Sequence, residues 1–337
     1  MSQKYPGGFI TKSPVAPVQG IASGMWTIDQ AMQLKKQGIW PPLVPGAPTI
    51  GTATQTGSTT ATVVYTQPAS NGGSTITSYT ATSSPAGGTG TLSQAGSGTI
   101  TVSGLSPLTS YTFTVTATNA VGTSAASAAS NSITTTISFG DAYEGGYYGG
   151  VFTSVSGGAT PEFRLVIAPV ASGQNLAKKL KTSNTDDAGA LSQWDGKSNS
   201  AATNDASHPA AQFCEGLTIG GYSDWYLPSR TELIVAYVSL KPTTTANNTS
   251  SGNTLFSAPA RSTFTSGNPA MTSATIFQSP NAEAFYTGDY YWTSTQVGNY
   301  SPVNGQNRRQ SFYDGQTGSD YAKNNYSATR AARRVAV

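Results

Sequence analysis

Gly220-Gly221-Tyr222-Ser223-Asp224-Trp225-Tyr226-Leu227-Pro228-Ser229-Arg230-Thr231-Glu232-Leu233 is the stretch on which the reading of this chain turns. Two glycines make a turn and three aromatics follow. Pro228 then stops the extended run, because the residue before a proline is biased away from the helical region. Ser229 is a good N-cap, and Glu232 three residues later completes the spacing of a capping box. Leu233, Val235, Ala236 and Leu240 carry apolar character up to Lys241-Pro242, where a helix would end. The local expectation is an aromatic turn, a proline stop and a capped helix.

The pattern G-Y-S-D-W-Y-L-P-S-R-x-E-L resembles the central motif of the Lcl C-terminal family, and three further pieces fit in the same order. Asn204-Asp205-Ala206-Ser207-His208-Pro209-Ala210-Ala211-Gln212-Phe213-Cys214 precedes it, and Tyr290-Tyr291-Trp292-Thr293-Ser294-Thr295 follows. Ala331-Ala332-Arg333-Arg334-Val335 is similar to the family's closing arginine-bearing strand. The resemblance covers 139–337 and implies a C-type-lectin-like fold, distantly akin to that of formylglycine-generating enzymes.

Composition narrows the rest. Charged residues are only 10% of the chain, and Gly, Ser, Thr, Ala and Asn dominate, which suits short strands with hydroxyl-rich outer faces. A net charge of +3 gives no ground for nucleic acid as a partner. One cysteine, Cys214, excludes an intrachain disulfide framework and a cysteine-based zinc site. Met1-Ser2-Gln3-Lys4-Tyr5-Pro6 lacks the apolar core of a signal peptide, and no apolar run reaches membrane-spanning length. The chain is therefore expected to be made in a cytoplasm and assembled from there.

Three units follow, giving a mainly β fold class with an α+β C-terminal domain. Residues 1–45 read as an extended arm, with a short helix over Gln30–Gln37 in which Ala31, Met32 and Leu34 share a side and Gly38 is the C-cap. Forty-five residues cannot bury two tryptophans alone, so Tyr5, Phe9, Trp26 and Trp40 are expected to dock on another subunit. The pattern G-G-x-I-x-x-x-x-x-P, followed by S-G-M-W-T and G-x-W-P, resembles the N-terminal attachment segment of some tailed-phage structural proteins.

Residues 46–136 form the second unit. From Gln37 to Gly140 there is no Asp, Glu, Lys or Arg. Alternation is clear in Ala61–Tyr65, Ile76–Ala81 and Tyr111–Ala117, with turns at Asn71-Gly72-Gly73, Gly87-Gly88, Gly96-Ser97-Gly98 and Asn119–Gly122. Strand-length runs at this spacing predict a β-sandwich. Gly104-Leu105-Ser106-Pro107-Leu108-Thr109-Ser110-Tyr111 resembles the fibronectin type III corner, in which a tyrosine hydroxyl bonds back to upstream backbone. Tyr65 stands where many members of that family carry a tryptophan.

The third unit, 139–337, holds all but one of the acidic residues and all but four of the basic ones, and is neutral overall. Asp141–Phe152 reads as a glycine-punctuated strand pair and Phe163–Pro169 as a buried strand. Residues 183–207 read as a loop around Trp194, and 243–274 as a long loop.

Candidate chemistry is sparse. His208 is the only histidine, no nucleophile-elbow pattern accompanies it, and formylglycine-generating chemistry needs two cysteines where this chain has one. No catalytic residue is assigned and the chain is read as a non-enzyme. Asp186, Asp187 and Asp195, or Asp314 and Asp320, would have to face each other across a cleft to hydrolyse a glycan. No cofactor is required, although Asp186, Asp187, Asp195 and Asn199 offer oxygen ligands of the kind calcium takes.

A binding surface remains, since Tyr, Trp and Arg dominate recognition hot spots. Tyr290, Tyr291, Asn307, Arg308, Arg309, Tyr313 and Asp314 are the expected ligand-contacting residues, with Trp292 read as core. The expectation is a virion structural protein, a tail fibre, appendage or surface protein. It would anchor to other virion proteins through 1–45 and offer 139–337 to a host-surface glycan or protein. A homo-oligomer is expected, without membrane insertion. The alternatives are capsid decoration or a baseplate role without a ligand, and third an adhesin or glycan hydrolase.

Overall fold

The computed structural model describes residues 42–337 except 156–159, 184, 186, 188, 250–263 and 297–305, together with residues 32, 33 and 36; the side chains of 306, 307 and 319–321 also lie outside the description. Tyr5, Phe9, Trp26 and Trp40 fall outside the described residues. Of the expected leader helix, Met32, Gln33 and Lys36 are helical and exposed. The chain divides into two compact units, Met1–Ile137 and Ser138–Val337.

The first unit is a sandwich of β1 (Thr49–Gln55), β2 (Thr60–Thr66), β3 (Ile76–Ser84), β4 (Thr89–Leu92), β5 (Gly98–Ser103), β6 (Ser110–Asn119) and β7 (Ile133–Thr134), hydrogen-bonded in the order β1-β2-β5-β4-β3-β6-β7. The predicted alternation is realised: Ala61, Val63, Tyr65, Tyr79, Phe113 and Val115 point inward while threonines face out. Tyr65 is fully buried, 4.2 Å from the Tyr79 ring, and donates its hydroxyl to Gly96 O at 3.0 Å. At the corner, the Ser106 N–H donates to the Tyr111 hydroxyl at 2.9 Å. The expected back-bond is there.

Between β6 and β7 the chain forms no regular strand, yet it satisfies the edge of β6. Ser124, Ser127 and Ser130 donate their N–H groups to Ala117, Val115 and Phe113 carbonyls, and their hydroxyls accept the N–H groups of those same residues at 3.0 Å. Asn131 then clasps both the N–H and the carbonyl of Ala53 on β1 at 2.8 and 3.0 Å. Side chains thus do the work of a seventh full strand, and they cover edges that would otherwise be free to pair.

The second unit contains two sheets. One runs β16-β10-β9-β8, from β8 (Ala142–Tyr143), β9 (Gly146–Phe152), β10 (Phe163–Ile167) and β16 (Ala332–Ala336). The other runs β11-β15-β12-β13-β14, from β11 (Gln174–Lys179), β12 (Tyr290–Gln296), β13 (Gln306–Ser311), β14 (Thr317–Ala322) and β15 (Tyr326–Arg330). Helices are short: α1 (Val170–Gly173), α2 (Gly196–Ala202), α3 (Pro209–Glu215) and α4 (Arg230–Leu240). Helix α2 lies inside the segment expected to be loop. Asp195 caps it, accepting from the Ser198 N–H at 2.9 Å, so an aspartate N-cap was the signal available there.

The opening stretch ties these pieces together. Tyr226 exchanges both backbone hydrogen bonds with Ala332 of β16. Pro228 O accepts from Ser294 of β12, and the Arg230 N–H donates to Thr295 Oγ1 at 3.0 Å. The capping box closes as predicted, with the Ser229 N–H donating to Glu232 Oε2 at 2.6 Å and the Glu232 N–H to Ser229 Oγ at 3.3 Å. Every residue of α4 except Val238 is buried, so the helix is a core element rather than an amphipathic surface one. Gly145 and Gly220 both hold positive φ, and a Cβ on Gly220 would sit 2.7 Å from the Gly145 Cα, so the two turns meet only because neither has a side chain there.

Candidate functional site

Strand β12 decides which aromatics can meet a ligand, because successive side chains point to opposite faces of a sheet. Tyr291 turns inward. It is fully buried, 5.3 Å from both Phe285 and Phe312, and its hydroxyl donates to Gln174 Oε1 at 2.7 Å. Burial pushes its pKa up to about 12. The expectation that Tyr291 contacts a ligand is corrected: it is core. Trp292 is also fully buried, as expected, and donates its indole N–H to Lys178 O at 2.8 Å.

Tyr290 and Arg309 behave differently. Arg309 lies opposite Trp292 on β12 and opposite Gly318 on β14. Its guanidinium stands 4.5 Å from the Tyr290 ring centroid and 5.8 Å from that of Trp292, within cation–π range. Asp289 Oδ1 is 3.9 Å from Arg309 Nη1 and accepts the Tyr290 N–H at 2.7 Å. The Tyr290 hydroxyl donates to Gln316, whose own N–H donates to Asp314 Oδ1 at 3.1 Å. Burial, then the charges of Asp314 and Asp289 against that of Arg309, raise the Tyr290 pKa. Tyr290 is half-buried and the Arg309 side chain is only 12% exposed, while Tyr313, in the turn after β13, is 52% exposed.

Of the expected residues, Tyr290, Arg309 and Asp314 are therefore brought together through Gln316, which sequence reasoning had not placed in the set. Arg308 is half-buried and sits close enough to Arg230 that, after burial, its charge is what lowers the Arg230 pKa to about 10. Asn307 lies on β13, with its side chain outside the description.

The acid-rich loop is committed elsewhere. Asp187 is the hub of a cluster that sequence reasoning missed. It accepts from Lys181, from Lys323 Nζ at 3.1 Å and from His208 Nε2 at 2.9 Å, while His208 Nδ1 faces Asp205 Oδ1 at 2.8 Å. Burial works to raise the Asp187 pKa, but the hydrogen bonds from Lys181, His208 and Lys323 and the charge of Lys323 outweigh it and the carboxyl ends below its usual range. Asp195 holds Arg334 at 3.0 Å, and the Asn199 amide donates to Ser192 O at 2.6 Å. Asp186 lies outside the described residues. The oxygens of Asp187 and Asp195 thus serve protein cations and that of Asn199 accepts the Ser192 N–H at 3.1 Å, and among the described residues no group of three or more His, Cys, Asp or Glu is placed to hold a metal ion.

The basic C-terminus is likewise used internally. Arg330 is wedged between Phe277 and Phe285 and paired with Glu283 at 2.8 Å, and Arg333 stacks 3.9 Å from the Tyr222 ring while bridging Asp224 and Glu144. Cys214 is wholly buried, and burial pushes its thiol well above the usual range, the opposite of an activated nucleophile. Among the described residues no helix is long and apolar enough to cross a membrane.

Comparison with known proteins agrees with the first unit. Residues 46–133 match the family model of the fibronectin type III domain. No curated protein matches the chain. Among solved structures, domains from titin are similar at 32% identity over 28% of this chain and 32% of theirs, with a TM-score of 0.24. The FN5 domain of Drosophila Lar is similar at 25% identity over 28% of this chain and 98% of that domain, with a TM-score of 0.22. The chain spans about a third of the length of the titin fragment it matches. It carries a fibronectin type III domain and is mainly β.

Proposed function

We propose that this chain is a structural protein of a tailed-phage virion that anchors through residues 1–45, uses its fibronectin type III domain as a stalk and presents residues 139–337 as a lectin-like head for host-surface recognition. The observation that carries the reading is the stack of the half-buried Tyr290 on Arg309, with Asp289, Gln316 and Asp314 linked to it. An aromatic face with donors and acceptors fixed around it is the composition of a recognition hot spot. The charge-free stalk supports the same reading, because crowded copies on a particle would not repel one another through it.

Full-length protein is expected to bind intact host bacteria saturably, and a variant lacking residues 1–45 to keep that binding while losing association with particles. Particle association without cell binding would sink the recognition role. A second reading, decoration without a ligand, is favoured by the burial of Tyr291 and Trp292, which removes two of the aromatics in the motif from any surface.

A further inference from the structure

We propose that the ledge over Gly318, between Tyr290 and Arg309, is a subsite for an uncharged sugar ring; this rests on the recognition reading above and gives it a ligand class. Gly318 lies directly across from Arg309 in the β13–β14 register. A Cβ built on it would meet Tyr290 Cε1 at 3.5 Å, Arg309 Nη2 at 3.8 Å and Tyr290 Cδ1 at 3.9 Å, all ordinary contacts, and its φ is not in the left-handed region. Neither backbone conformation nor close packing therefore demands glycine here. What the glycine leaves is a step with room for about a methyl group, on a strand beside an aromatic ring and a guanidinium.

The groups around that step define what fits it. The Tyr290 ring offers an apolar surface for the C–H face of a pyranose, and the guanidinium of Arg309 and the amide of Gln316 offer polar contacts beside it. Asp289 and Asp314 supply acceptors for hydroxyl protons. Charge argues against an anionic ligand: Arg309 already has Asp289 3.9 Å away, and the field of Asp314 reaches Tyr290. A sulfate or phosphate would meet those two carboxylates as well as the arginine. A purely apolar partner would cover the same polar groups without replacing their hydrogen bonds. A polyol ring has both the flat apolar face and the alternating donors and acceptors the step requires.

The test uses the full-length chain on an array of neutral oligosaccharides with hexose and N-acetylhexosamine termini, beside a matched sialylated and sulfated set. Gly318→Leu is the informative variant, because it fills the step without removing any existing contact. Tyr290→Ala is the second, and near-ultraviolet circular dichroism checks that both keep their packing. Binding to the neutral set that falls about tenfold or more in both variants is the expected result. Equal binding by Gly318→Leu and the parent, or preference for the anionic set, overturns the subsite. Binding to host cells with none to either glycan set overturns the subsite and leaves the recognition role standing. Absence of binding to cells and glycans alike removes both.

Discussion

The fibronectin type III domain and the C-terminal unit meet the same requirement, satisfying buried polar groups, by opposite means. The first has no Asp, Glu, Lys or Arg and uses serine hydroxyls, one asparagine clasp and a tyrosine corner. The second buries Lys181, Glu232, Lys241, Lys323 and Arg330. Lys241 is held by neutral oxygens, donating to Thr245 O, Asn247 Oδ1 and Pro269 O. Neutral hydrogen bonds contribute modestly and are insensitive to pH. Buried ions fix a single arrangement at the cost of strong dependence on each partner. One unit should respond to its surroundings hardly at all, and the other sharply.

The largest expected contrast comes from Glu283→Ala. It would strand the fully buried Arg330 guanidinium between two phenylalanine rings, and breaking a buried pair from one side costs roughly 3–5 kcal/mol. Urea titration followed by hydrogen exchange should show early opening of 326–336 with 111–119 unchanged. Equal protection of both regions in the variant would mean that Arg330 finds other partners and that the contrast is weaker than drawn.

Dependence on pH sharpens the comparison next. Glu232 is wholly enclosed, and burial, only partly offset by hydrogen bonds from the Ser229 backbone, the Tyr226 hydroxyl and the Ser229 side chain, raises its pKa to about 7. The unfolded chain releases that proton near its ordinary value of 4.5, while the folded chain keeps it up to about 7. The stabilisation is therefore full below about 4.5 and is lost as the pH rises to about 7, a change of about 3 kcal/mol. Asp187, whose pKa is lowered, acts on the acid side: its contribution is present above the ordinary carboxylate range and lost as the pH falls below it. Exchange rates around 230–240 should climb from pH 4.5 to 7 after correction for intrinsic chemistry, those around 111–119 should not, and Glu232→Gln should flatten the difference.

A smaller effect probes the neutral side. Ser127→Ala removes the acceptor of the Val115 N–H, and Tyr111→Phe removes the acceptor of the Ser106 N–H. Each should cost about 1 kcal/mol, read as a lower thermal midpoint of the fibronectin domain at any pH from 4 to 9. A pH-dependent loss would show that the domain feels charges outside itself. The smallest expectation is a null one: moving from about 0.05 to about 0.5 M salt should leave the fibronectin domain's midpoint unchanged, since screening acts only on charges.

Local signals were legible where they were self-contained. The capping box at Ser229 and Glu232, the strand alternation around Ala61–Tyr65 and the corner at Tyr111 each lie within a few residues, so propensity and spacing were enough to read them. Helix α2 shows the limit, because a polar, serine-rich segment carries no apolar period and its aspartate cap was the only cue. The serine rungs at 124, 127 and 130 were equally invisible as strand, since they satisfy β6 with side chains at a spacing of three against its spacing of two.

The candidate face was only half readable for a similar reason. Tyr290 and Tyr291 are chemically identical neighbours, and a strand must send them to opposite sides. Which side is core depends on where Phe285, Phe312 and Gln174 arrive from elsewhere in the chain. Spacing and composition were enough for the local units: the capped helix, the charge-free sandwich, the aromatic strand and the lone cysteine. Long-range packing is what brought Asp187 to Lys323 from 136 residues away and paired Arg330 with Glu283. It also decided that Gly318 would lie beside Tyr290 and Arg309. Long-range pairing of single charges and aromatic faces leaves no period in a sequence, because each contact is fixed by the packing of elements far apart along the chain.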